Sequence, residues 1–81
     1  MVIESIRDLN RAVPFVPYQI HMNSGEDYVV PHPDFISVAP RGSFVVLIDR
    51  RDRPHHLSAL LIERVSRLNR RGRRNASSRK R

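Results

Sequence analysis

Tyr18-Gln19-Ile20-His21-Met22-Asn23-Ser24-Gly25-Glu26-Asp27-Tyr28-Val29-Val30 is the stretch whose reading decides the fold. Tyr18, Ile20 and Met22 fall on one face of an extended chain and Gln19 and His21 on the other, the period of two of a half-buried strand. Asn23-Ser24-Gly25 supplies the residues a tight reversal needs, and Glu26 to Val30 returns with Tyr28 and Val30 alternating against Asp27 and Val29. The stretch predicts an antiparallel hairpin.

Toward the N-terminus, Val13-Pro14-Phe15-Val16-Pro17 predicts an extended linker, since each proline pushes its predecessor out of the α region, and Phe15 is placed to dock on the hairpin. Before it, Ile3, Ile6 and Leu9 recur every third residue. Glu4 and Asp8 lie early and Arg7 and Arg11 later, so a short helix ending before Pro14 is expected.

Toward the C-terminus, Pro31-His32-Pro33 removes two ladder donors and predicts a corner, with Asp34 bonding the local backbone. Phe35 to Ala39 alternates again. After the turn at Pro40-Arg41-Gly42, Ser43-Phe44-Val45-Val46-Leu47-Ile48 predicts a strand covered on both faces. Asp49 to Pro54 reads as a charged loop and His55-His56-Leu57 as an outer strand. From Ser58 two readings stand. Leu57, Leu61, Val65 and Leu68 form a helical stripe with Ser58 as an early cap, which periodicity slightly favours; Leu61 to Val65 also works as a strand closing the sheet.

The 81 residues allow one small domain, with 40% hydrophobic and 28% charged residues, no Trp and no Cys. Disulfide scaffolds and thiolate zinc sites are thereby excluded. Met1 to Asp8 has neither a basic n-region nor an apolar h-region, and no apolar run reaches membrane length. A cytoplasmic location without a membrane span is expected.

The net charge of +7 is unevenly placed. Residues 1 to 66 carry seven Arg against eight Asp or Glu, whereas residues 67 to 81 carry Arg67, Arg70, Arg71, Arg73, Arg74, Arg79, Lys80 and Arg81 with no acid. That segment has only Leu68 and Ala76 as apolar residues, so a domain over 1–66 followed by a disordered basic tail over 67–81 is expected. Guanidinium groups pair bidentately with phosphates, and 15 extended residues reach roughly 50 Å. The eight tail cations are therefore the candidate nucleic-acid-binding residues. No aromatic is interleaved among them, so the tail itself predicts phosphate contacts without base stacking.

The chain resembles a family of small uncharacterised bacterial proteins. Its pattern is a short N-terminal helix, Pro-Phe-x-Pro-Phe/Tyr-x-Ile, a polar turn, Val-Pro-His-Pro-Asp/Glu-Phe and an aliphatic segment ending in Ile-Glu. The matching residues are Pro14-Phe15-Val16-Pro17-Tyr18-Gln19-Ile20, Ser24-Gly25, Val30-Pro31-His32-Pro33-Asp34-Phe35 and Leu60-Leu61-Ile62-Glu63-Arg64-Val65, covering about residues 3 to 65. Ser24 stands where the pattern usually has an acid, and the Arg-rich tail lies outside it. The resemblance implies no activity or cofactor. The order of elements is similar in layout to Sm-like or SH3-like small barrels. The Tyr-Lys-His motif of bacterial Sm-like RNA chaperones has its nearest counterpart in Pro54-His55-His56, which keeps only His56, so their RNA-binding residues do not carry over.

Other candidate chemistry is sparse. His21, His32, His55 and His56 invite a metal, but His55 and His56 point to opposite faces of a strand and no Cys completes a set. His32 between two prolines reads as part of the corner. Ser24, Ser37, Ser43, Ser58 and Ser66 lack a recognisable His or Asp context, so no catalytic, metal or cofactor site is expected.

The sequence thus predicts an α+β domain: a short N-terminal helix with a curved antiparallel sheet of about five strands, open or closed as a small barrel, and the basic tail. Its expected function is accessory nucleic-acid binding, RNA ahead of DNA. The alternative is a protein-interaction or adaptor module whose tail keeps it soluble or docks an acidic partner, its contact being an apolar patch such as Leu57, Leu60 and Ile62. Edge strands leave a homo-oligomer open.

Overall fold

The computed structural model of the protein describes residues 2–68. One helix, α1 (Val2–Arg11), precedes six strands: β1 (Tyr18–Met22), β2 (Asp27–Val30), β3 (Ile36–Val38), β4 (Phe44–Ile48), β5 (Pro54–Ser58) and β6 (Ile62–Arg67). All pairings are antiparallel, in two three-stranded sheets ordered β2-β1-β6 and β3-β4-β5. The fold is α+β, with six strands where the sequence suggested about five.

The predicted hairpin forms. Tyr18 pairs with Val30 and Ile20 with Tyr28, while Gly25 closes the turn at φ 97°, where a side chain would be strained. The helix buries Ile3 and Ile6 against the strands. Arg7 bonds Glu4 at 2.8 Å and reaches the carbonyls of Ala39 and Pro40 at 3.3 and 3.1 Å, fastening α1 to the β3–β4 turn. Gly42 in that turn has φ 74°, and a Cβ there would meet Ile3 Cγ2 at 3.2 Å. Phe15 of the linker docks edge-on to Tyr18, with ring centres 6.1 Å apart.

At the corner, residues 33 to 35 form a 3-10 turn. The local bond runs opposite to expectation: His32 Nδ1 accepts from the Asp34 amide at 3.1 Å, so His32 caps the turn and Asp34 is the residue capped. His32 is thus a structural hinge between β2 and β3.

Residues 58 to 67 form no α-helix, which overturns the favoured reading of the stripe. Ser58 Oγ accepts from the Leu60 amide at 3.3 Å, a 3-10 turn spans Ala59–Leu61, and β6 then pairs with β1. The stripe does not mark one buried face, since Leu57 and Leu68 are buried and Val65 packs on the core while Leu61 is 55% exposed. A bulge lies where His21 pairs with Arg64 and Met22 with Ile62, so Ile62 and Val65, three residues apart, both meet β1 residues of its core-facing set.

The common core contains Ile3, Ile6, Tyr18, Ile20, Val30, Val45, Leu47, Leu57 and Ile62. Two burial expectations change. All of β1 is buried, Gln19 and His21 included, rather than half of it. In β4 only Val45 and Leu47 are buried, while Phe44 is 41% exposed, so the continuous apolar run has one covered face.

Candidate functional site

Of the candidate cations, Arg67 ends β6 with its side chain exposed. The next residue, Leu68, is buried, and its amide donates to the Pro17 carbonyl at 2.9 Å. The described chain therefore runs two residues past the expected boundary at Ser66, and the basic segment starts from an anchored root. Arg70, Arg71, Arg73, Arg74, Arg79, Lys80 and Arg81, with the expected disorder of the tail, lie outside the described residues.

A second concentration of arginine, read from the sequence only as a charged loop, stands between β4 and β5. Asp49 organises it. Its Oδ1 accepts from the amides of Arg51 at 2.8 Å and Arg53 at 3.0 Å, and its Oδ2 meets His55 Nε2 at 2.8 Å and Arg53 Nε at 3.5 Å. The His55 hydrogen bond first, then the Arg53 amide, hold the Asp49 carboxyl well below the usual carboxylate range. Asp52 completes the loop at φ 65°, a left-handed conformation that aspartate tolerates.

This loop faces β2 across a cleft of about 300 Å³ lined by Tyr28, Val29, Pro31, Phe35, Asp49, Arg50, Arg51 and Arg53 among others. The Tyr28 ring lies 5.3 Å from that of His55, joining the two walls. Burial first, then the charge of Glu26 and a 3.4 Å hydrogen bond to it, raise the Tyr28 hydroxyl above its ordinary pKa. The hydroxyl stays protonated at neutral pH. Arg53 is engaged with Asp49, while the guanidinium groups of Arg50 and Arg51 have no carboxylate partner among the described residues. A second recess of about 340 Å³ beside the Asn23–Glu26 turn shares Tyr28 as a wall and carries Glu26 and His56.

The other polar assembly is on β1. His21 Nδ1 meets Asp27 Oδ1 at 2.8 Å and His21 Nε2 meets Ser66 Oγ at 2.8 Å. The fold thus gives Ser66 the His and Asp context that its sequence neighbourhood lacks. Ser66 lies 45 positions from His21, so only strand pairing brings them together. The geometry is that of a serine poised beside a general base with its orienting carboxylate. Asp27 borders the cleft beside the β4–β5 loop, but neither Ser66 nor His21 lines it or the recess beside the Asn23–Glu26 turn, so the hydroxyl faces neither of them. The evident work of the assembly is to satisfy both ring nitrogens of a histidine that is 8% exposed. Beside it Gln19 is 4% exposed and its Oε1 has no hydrogen-bond partner. On the core side, burial pushes the Tyr18 hydroxyl pKa far up while it donates to Asn10 Oδ1 at 2.7 Å, which pulls the other way.

Among the described residues no group of three or more His, Cys, Asp and Glu is placed to hold a metal ion. Their helix is too short and polar to cross a membrane. The apolar set Leu57, Leu60 and Ile62 is no surface patch, since Leu57 and Ile62 are in the core. Only Leu60, 88% exposed, and Leu61, 55% exposed, project from the β5–β6 turn. Comparison of the chain with protein-family models, with curated proteins and with solved structures finds no match.

Proposed function

We propose that this is a cytoplasmic accessory nucleic-acid-binding protein, with RNA favoured over DNA, in which the basic segment contacts phosphates and the small domain positions it. The observation that carries this reading is the placement of charge: eight cations and no acid follow a body of balanced charge. The root of that segment is fixed by burial of Leu68 and by the bond its backbone amide donates to the Pro17 carbonyl. A fixed root sets where the cations that follow it can reach, and phosphate neutralisation releases counterions whatever the base sequence. The wider form of the reading is a small barrel. What supports it is that the chain crosses between the two sheets at two short turns, β2 to β3 through Pro33–Phe35 and β5 to β6 through Ala59–Leu61.

The test is fluorescence anisotropy of the full chain and of residues 1 to 68 against labelled single-stranded RNA, duplex DNA and an acidic protein across a salt series. About six engaged cations give a log–log salt slope of roughly −4 to −5, depending on strandedness. Removal of residues 69 to 81 is expected to abolish most of the affinity. Equal binding by the shortened chain would overturn the proposal. Equal binding of the full chain to every polyanion would favour the adaptor reading, for which Leu60 and Leu61 are the exposed apolar contact.

A further inference from the structure

The tail has charge but no rings, whereas the cleft between β2 and the β4–β5 loop has both. We propose that this cleft holds one nucleotide of a single strand, its base against Tyr28 and Phe35 and its phosphate on Arg50 and Arg51. The inference rests on the nucleic-acid reading above and adds a base-holding site on the folded body.

Three observations lead there. The first is chemical: two aromatic side chains and two unneutralised guanidinium groups line the same recess. Base–aromatic stacking combined with cationic phosphate contact is how single strands are held without sequence readout. The acids nearby do not cancel this set. Asp49 is committed to His55, Arg53 and two loop amides, and Asp27 to His21. The second is size. About 300 Å³ lies at the small end of ligand sites, room for one nucleotide rather than a folded helix. The third is position. Arg67 pairs with Tyr18, which pairs with Val30, the residue before Pro31 of the cleft wall. Two strand spacings, about 10 Å, therefore separate the root of the basic segment from the end of β2. That distance is roughly three stacked nucleotides at about 3.4 Å each, so one strand can occupy both.

The walls are preset. Asp49 holds the loop through two of its amides, and the Tyr28–His55 ring contact holds the β2 wall, so little ordering remains to oppose binding.

The experiment uses the full chain and two labelled probes of equal length, an oligo-riboadenylate and the same sugar–phosphate chain without bases. The bases are expected to tighten binding, and Tyr28→Ala to weaken it about 5- to 100-fold for the adenylate only. Tyr28→Phe keeps the ring and is expected to keep the affinity. Because Tyr28 also packs on the core, the double variant Arg50→Ser, Arg51→Ser supplies a second readout at exposed positions. It is expected to lower the salt slope by about 1 for the adenylate, with thermal unfolding unchanged. Equal affinity for the two probes, with no effect of Tyr28→Ala, would overturn the cleft while leaving tail-driven binding standing. Absence of binding to either probe would overturn both.

Discussion

The two central strands, β1 and β4, hold the same place in their sheets and carry opposite sequence patterns. Tyr18-Gln19-Ile20-His21-Met22 alternates, yet every residue is buried; Phe44-Val45-Val46-Leu47-Ile48 is apolar throughout, yet one face stays partly open. The neighbours decide. On the outer face of β1, Gln19 lies between Val29 and Ser66, and His21 between Asp27 and Arg64, with the His21 ring bonded to both sides. On the outer face of β4, Val46 lies between Ser37 and His56, and Phe44 beside Ser58. Alternation reports which side faces the core. It does not report what covers the other side.

The largest effect should separate the core faces from the outer ones. Ile20→Ala removes a fully buried side chain from β1 and is expected to lower stability by about 2 to 5 kcal/mol. Val46→Thr on the half-exposed face of β4 should change it by less than about 1 kcal/mol. Urea denaturation of the two variants checks this, and equal losses would break the contrast between the strands.

Next come the histidines. His21→Ala strips Asp27 and Ser66 of a shared partner on the covered face and should cost about 1 to 3 kcal/mol. His55→Ala acts at a part-exposed loop pair and should cost less than about 1 kcal/mol, by the same measurement.

A smaller effect of opposite sign is expected at Gln19. Its Oε1 is buried without a partner, so Gln19→Leu should be neutral or stabilise the fold by up to about 1 kcal/mol. A clear loss of stability would mean that the amide makes a contact the geometry does not reveal.

The smallest effect is a dependence on acid. Asp49 is held below its ordinary pKa in the folded chain, so its ionised form favours folding. That contribution is present in full above about pH 4 and fades as the pH falls below it. Unfolding midpoints measured across that range should fall less steeply for Asp49→Asn than for the parent chain.

Much of the fold was legible because its signals are local. Gly25 at positive φ, the prolines at the corner and the alternation of Tyr18, Ile20 and Met22 each act through the backbone of their own segment. At β6 the sequence misled because a partner distant in the chain decided the outcome: Leu57, Leu61, Val65 and Leu68 have helical spacing, but residues 62 to 67 pair with β1. At the corner the reason is local, since the His32 ring nitrogen accepts the Asp34 amide two residues on. The charge of the basic segment was plain, but its root at Leu68 was not, since burial of one leucine depends on where Pro17 lies.

Sequence alone determined the helix, the hairpin, the corner and the separation of a balanced body from a basic segment, all consequences of dihedral preference, side-chain period and charge. Tertiary structure alone decided that Ser66 meets His21, that Gln19 is buried unpartnered, and that Tyr28 and Phe35 share a cleft with Arg50 and Arg51. Each of these depends on segments far apart in the chain, and only strand pairing and packing set such distances.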